Sequence, residues 1–182
     1  MPTYAISVET AKEEYVACLI NKTIKKAVPW LKASVHVPVK PVYKHLTARV
    51  ASDKGSTLEL EYKPTYPGYI LLESEDPINF YWLCQKWRYK SWFYMIGRTD
   101  KGFAPLDNDE VEWTKRLEEP PSKAVIRDGK LHVISGSLKG HDDRIVAVKA
   151  SRNNVCISTR FRGRPRRVWV AMEIIKEEAK DV

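Results

Sequence analysis

The sequence lacks paired cysteines, long apolar runs and the common signatures of nucleotide and nucleophile chemistry, and each shortage excludes a class of protein. Its three cysteines, Cys18, Cys84 and Cys156, are odd in number, far apart and form no Cys-x-x-Cys pair. A disulfide framework or zinc site is therefore not expected; three small buried side chains in a reducing cytoplasm are. No run of eighteen apolar residues exists, so no helical membrane span is expected. The opening Met1-Pro2-Thr3-Tyr4-Ala5 has no basic stretch followed by an apolar core, so no signal peptide is expected either. There is no Walker loop, no Gly-x-Ser-x-Gly and no Gly-x-Gly-x-x-Gly. His36, His45, His132 and His141 stand in no His-x-x-x-His or His-Glu-x-x-His arrangement. The one local cluster, His141-Asp142-Asp143, reads better as a turn beside a phosphate contact than as a metal site. The chain is accordingly expected not to be an enzyme and to need no cofactor and no metal.

What is present is positive charge, unevenly placed. The 182 residues suffice for one medium domain or two small ones, and 43% apolar with 30% charged residues is an ordinary foldable composition. Of the net charge of +8, residues 1–124 contribute little, with 18 Lys and Arg against 16 acids. Residues 125–172 carry 11 against 3. A basic density of that kind favours a polyanionic partner through counterion release.

The first half alternates strands and helices. Thr3 to Val8 reads as a strand. Thr10 to Glu13 reads as a capping box opening a helix over about 11–28, whose apolar residues Val16, Leu19, Ile20 and Ile24 recur at helical spacing. Val35 to Lys44, with two prolines, suits an edge strand. Leu46 to Val50 and Thr57 to Tyr62 alternate around Ser52 to Ser56 and predict a hairpin. After the Pro67-Gly68 turn, Tyr69-Ile70-Leu71-Leu72 is an apolar strand, implying burial on both faces or one interaction face. Asp76-Pro77 starts an aromatic helix ending near Lys86, Arg88 and Lys90, a trio that suits either the helix dipole or a polyanion. Trp92 to Ile96 is a short strand, and Asp107 to Glu110 a second capping box for a helix to about Glu118. This order implies an α+β sandwich. The proline-containing stretch 118–124 reads as a linker. Beyond it, four short strands separated by turns, without a helix, predict a small β-barrel.

Ordered motifs carry a resemblance. Tyr66-Pro67-Gly68-Tyr69-Ile70-Leu71-Leu72, then Gly97-Arg98-Thr99-Asp100, Ala104-Pro105-Leu106, Glu110-Val111 and Leu117, then Val133 to Gly140, resemble in order the N-terminal (NGN) domain and KOW motif of the NusG family of transcription elongation factors. The resemblance implies residues 1–117 as a ferredoxin-like, RNA polymerase-binding NGN-like domain and residues 125–182 as a KOW domain, an SH3-like barrel. It implies polymerase contacts at Tyr66, Pro67, Tyr69 and Leu71, with Tyr4 joining them, and an exposed apolar patch at Tyr69 and Leu71. A cytoplasmic monomer, with no membrane partner, is expected.

The chain departs from the general member of the family. Asp143 stands where the KOW glycine belongs, in a turn that a left-handed Asp could preserve. Gly136-Ser137 replaces Gly-Pro, and Arg160-Phe161-Arg162-Gly163-Arg164-Pro165-Arg166-Arg167 replaces a mildly charged stretch. These features resemble the antiterminator branch typified by LoaP, which binds a hairpin in nascent leader RNA. Gly163 and Pro165 suggest a projecting arginine loop, with Arg160 and Arg162 on one face and Phe161 on the other. Guanidinium groups contact phosphate in a bidentate way and read or stack on bases. Lys139, His141 and Arg144 on a second loop, and Lys149 and Arg152 on a third, complete the expected RNA surface. Lys86, Arg88 and Lys90 could extend it. Structured loops or distorted grooves are the expected targets, because the A-form major groove is too narrow to read. The alternatives are a general elongation factor coupling polymerase to the ribosome or Rho, and a ribosome-associated KOW protein.

Overall fold

The computed structural model describes residues 1–87 and 92–175. In chain order the elements are β1 (Thr3–Val8), α1 (Glu13–Ala27), β2 (Ala33–His36), β3 (Val39–His45), α2 (Ala48–Lys54), β4 (Leu58–Pro64), β5 (Tyr69–Ser74), α3 (Pro77–Gln85) and β6 (Phe93–Met95). They continue as β7 (Arg98–Thr99), β8 (Gly102–Phe103), α4 (Asn108–Glu118), β9 (Ser122–Arg127), β10 (Lys130–Ser135), β11 (Ile145–Lys149), β12 (Asn154–Phe161) and β13 (Arg164–Ile175). The fold is mixed α/β. No helix among the described residues is long and apolar enough to cross a membrane.

The chain gathers into two compact units, residues 1–38 with 66–111, and residues 39–65 with the chain from Glu112 onward. A single cut between residues 117 and 125 does not describe this grouping, because segment 39–65 belongs with the second unit. The linker is also shorter than 118–124, since β9 begins at Ser122.

The first unit is a four-stranded sheet, β2-β5-β1-β6, with β5 and β1 antiparallel at its centre. One face packs Tyr4, Ile6, Val8, Ile70 and Leu72 against Val16, Ile20 and Ile24 of α1 and Phe80 and Cys84 of α3. The expected strand at β5 and the Asp76 cap both hold; the Asp76 carboxylate accepts the Asn79 N–H at 3.0 Å. The capping box at Thr10 does not form. Ala11 turns the chain at φ 69, and Lys12 is the N-cap without a side-chain bond. Glu13 is buried, and its carboxylate accepts the Gly68 N–H at 2.8 Å, tying α1 to the Pro67-Gly68 turn. At the sheet edge the Asn21 amide clips β2, accepting the Val35 N–H at 2.9 Å and donating to the Val35 carbonyl at 2.6 Å.

The second unit holds a five-stranded sheet, β10-β9-β13-β12-β11, antiparallel except for β13 with β9. The twelve-residue β13 pairs with β12 over Arg164 to Ala171 and then with β9 over Met172 to Ile175. Val155, Ile157, Phe161, Val168, Val170 and Met172 line its buried face. The hairpin of the same unit differs from the expected one. Leu46 to Val50 is not a strand: α2 occupies 48–54, and the ladder joins β3 to β4, from Val39↔Pro64 to His45↔Leu58. A helical turn stopped by left-handed Gly55 bridges strands lying further out on either side.

Gly136 marks the tightest approach in this unit. It has φ +94, and a β-carbon there would lie 2.7 Å from the Ser122 Cα. Ser122 Oγ in turn accepts the Leu138 N–H at 3.1 Å. Gly136→Ala therefore forces both a left-handed alanine and a backbone displacement, and is expected to lower stability by about 2–4 kcal/mol. The urea midpoint reads this directly; an unchanged midpoint would mean that the turn yields freely.

Candidate nucleic-acid interface

The arginine cluster forms a β-ribbon rather than a loop. Arg162 and Gly163 alone make the connection, at φ 57 and φ 68, and Phe161 pairs with Arg164 across it. Two consecutive positive φ values are what a two-residue type I′ hairpin turn uses, because its twist matches that of the strands. The register then sorts the side chains. Arg164 and Arg166 face with Phe161 and Thr159; Arg160 and Arg167 face the other way, with Ser158, Cys156 and Trp169. Arg162 sits at the tip. All five arginines are exposed while Phe161 is fully buried, so the ribbon is anchored through Phe161 and carries cations on both faces.

The face bearing Arg160 and Arg167 continues into a groove of about 420 Å³ within the second unit. Tyr43, Lys44 and His45 of β3, Glu61 and Lys63 of β4, and Lys149, Arg152, Asn154 and Trp169 are among its lining residues. Lys149 Nζ lies 4.2 Å from the centre of the Trp169 ring, a cation–π contact. Glu61 forms ion pairs with Lys44 at 3.0 Å and Lys63 at 2.5 Å. Lys63 and Lys44 hold the Glu61 carboxyl below the ordinary carboxylate range, and Glu61 and Glu59 raise Lys44. Burial pushes the neighbouring Lys40 ammonium down, and the Lys63 charge adds to this.

Asn154 fastens the hairpin to the sheet. Its amide accepts the Tyr43 N–H at 3.0 Å and donates to the Tyr43 carbonyl at 2.8 Å, repeating the Asn21 clip of the first unit. Asn154→Ala leaves two backbone groups unpaired and is expected to cost about 1–3 kcal/mol. Hydrogen exchange at Tyr43 checks it; unchanged protection there would mean the clip is dispensable.

The sequence-derived RNA surface is thus only partly assembled. Lys149 and Arg152 line the groove, and Arg160 and Arg167 share the face of its Trp169. The 136–144 segment packs against α4. His141 meets the buried Trp113 ring edge-on at 5.0 Å, and Arg144 lies over the same ring at 5.3 Å, as does Arg116 at 5.9 Å. These contacts, with an Arg116 bond to the Ser137 carbonyl at 3.1 Å, hold residues 113–116 of α4 against the 137–144 segment within the second unit. Lys139 is exposed. Asp143 lies in a short 3-10 turn and is not left-handed. Lys86 is exposed at the C-cap of α3; Arg88 and Lys90 lie outside the described residues. Tyr43, Lys44, His45, Lys63 and Trp169 carry no local signal for this groove, since β3 pairs with β4 rather than 46–50 with 57–62, and Trp169 sits in an apolar strand.

The polymerase-contact residues of the resemblance also separate. Leu71 is 2% exposed and Tyr66 is buried, so no exposed apolar patch runs along β5: of the two readings open for that strand, burial on both faces holds. Tyr4 pairs with Leu72, on the helix-covered face, and burial raises its phenol pKa. Tyr69 lies on the opposite face, half-buried, beside Ser7, which in turn neighbours Tyr94 at 65% exposure. With exposed Pro67, these make an aromatic strip across one end of the sheet. Cys18 is exposed, contrary to expectation, while Cys84 and Cys156 are buried.

A two-unit mixed α/β chain, with a four-stranded helix-backed sheet and a five-stranded basic sheet, is the class these observations define. The solved structure titled "Domain interaction in Thermotoga maritima NusG" shares this fold, with a TM-score of 0.53 over 93% of this chain and 93% of that chain, at 18% sequence identity. No protein-family model matches the sequence, and no curated protein matches it. The fold is NusG-like.

Proposed function

We infer that the chain is a transcription elongation regulator with processive antitermination activity, acting by binding rather than catalysis. In this reading the first unit, NGN-like, docks on RNA polymerase and reduces pausing and termination. The second, KOW-like and basic, binds a structured hairpin in nascent leader RNA, as in the LoaP branch. The observation that carries it is the arginine ribbon. A left-handed arginine costs about 1–2 kcal/mol relative to the glycine or asparagine favoured there, and strain of this kind motivates a functional reading of the ribbon tip. Arginines on both ribbon faces suit the irregular surface of a folded RNA rather than one flat phosphate row. The ordered NusG-like motifs and the NusG-like fold over nearly the whole chain support the polymerase half.

Readthrough of a terminator by purified elongation complexes tests the whole reading. Adding the chain is expected to raise readthrough when the transcript carries the leader hairpin and to do little when it does not. Equal stimulation of both templates would favour a general elongation factor. For the docking half, Tyr69→Ala combined with Tyr94→Ala is expected to weaken polymerase binding roughly tenfold or more, as loss of aromatic anchors does. Undiminished capture of polymerase would remove the sheet end from the interface.

A further inference from the structure

The groove beside Trp169 differs in kind from the ribbon. It is concave and walled by two hairpins, while the ribbon projects. Its 420 Å³ is in the range of small-ligand clefts and far too small for a duplex. Lys44, Lys63, Lys149 and Arg152 line it with one carboxylate, Glu61, which pairs with Lys44 and Lys63, and Glu59 also reaches Lys44 at 3.4 Å. Its aromatic wall is a half-buried Trp covered on one side by the Lys149 ammonium.

We propose that this groove takes a single unpaired nucleotide of the bound RNA, its base stacked on the Trp169 ring and its phosphates held by Lys44, Lys63, Lys149 and Arg152. The proposal rests on the RNA-binding reading above. An arriving phosphate draws Lys149 from the ring, exchanging a cation–π contact for an ion pair and freeing the ring for a base. The Asn154 amide is buried and held by Tyr43 through its oxygen and one N–H. Stacking on Trp169 and ion pairs to the basic side chains carry the binding and tolerate all four bases. Arg167, two residues from Trp169 on the same face, joins the groove to the ribbon. A bulge next to a helical stem thus meets pocket and ribbon together.

The test uses the full chain and two hairpin RNAs of equal stem length, one carrying a single bulged 2-aminopurine and the other fully paired. The bulged RNA is expected to bind at least about tenfold more tightly, with its fluorescence quenched on binding. Trp169→Ala should abolish that preference and the quenching, Trp169→Phe should keep most of both, and Lys44→Ala with Lys63→Ala should reduce the preference. Arg164→Ala and Arg166→Ala should weaken both RNAs alike. A preference that survives Trp169→Ala, or bulged and paired RNAs bound equally well, overturns the pocket and leaves the RNA-binding reading standing. Failure to bind either RNA overturns both. Adenosine monophosphate should not displace the bulged RNA at comparable concentration; if it does, the groove is a free-nucleotide site and the RNA assignment of the pocket is wrong.

Discussion

Replacing Arg160, Arg162, Arg164, Arg166 and Arg167 together by alanine is expected to lower hairpin-RNA affinity by at least about 1,000-fold at moderate salt. The magnitude follows from about 1–3 kcal/mol for each arginine that reads a base, taken at the lower end. The ribbon register predicts how single replacements divide. Arg160 and Arg167 share the face of the Trp169 groove, whereas Arg164 and Arg166 share the face of Thr159. If the two faces touch different parts of the RNA, mutants paired within one face should be non-additive and mutants paired across faces additive. Titrations at several salt concentrations separate the roles. Loss of a phosphate contact lowers the salt slope by about 1, and loss of a base contact lowers affinity without changing it. Arg→Lys replacements should keep the slope and lose affinity wherever a bidentate contact is made. Unchanged affinity in the fivefold variant would end the RNA hypothesis for this surface.

Phe161→Ala is expected to produce the largest loss of stability, about 3–5 kcal/mol. Phe161 is fully buried although it stands one residue from the exposed ribbon tip, so truncation opens a cavity where the strands leave the core. That is a large part of the 5–15 kcal/mol typical of a small domain. Phe161→Leu, which keeps much of the volume, should cost far less, near 1.5 kcal/mol or below. Chemical denaturation followed by circular dichroism measures both. Because Phe161 fixes the base of the ribbon, RNA affinity in Phe161→Ala should fall even where the unit remains folded. A wild-type midpoint would mean that the ribbon is not anchored there.

Local chemistry was legible wherever one segment decides its own structure. The aliphatic period of α1, the Asp76-Pro77 start of α3 and the β-branched runs that became β10 to β13 needed no distant partner. Charge was legible too, since counting requires no fold. The sequence was ambiguous where a side chain had two possible partners. Thr10 and Glu13 match a capping box, but Glu13 finds a better donor in the Gly68 N–H, 55 residues away. Leu46 to Val50 alternates like a strand, yet the pairing of β3 with β4 makes it part of a helical connection. His141 and Arg144 look like solvent-facing loop residues until Trp113 packs against them.

By itself, the sequence determined that the chain is mixed α/β, that its positive charge lies in the last third, and that residues 160–167 concentrate arginine among strand-forming neighbours. These properties are sums over residue types and short-range spacing. Only the tertiary structure decided which face each arginine takes, that segment 39–65 joins the basic unit through the Asn154 clip, and that Trp169 borders a groove. Those depend on ladder register and on hydrogen bonds between residues more than a hundred positions apart. A one-residue shift in register reverses every side chain of a strand, so a composition that names the partner class cannot say which surface meets it.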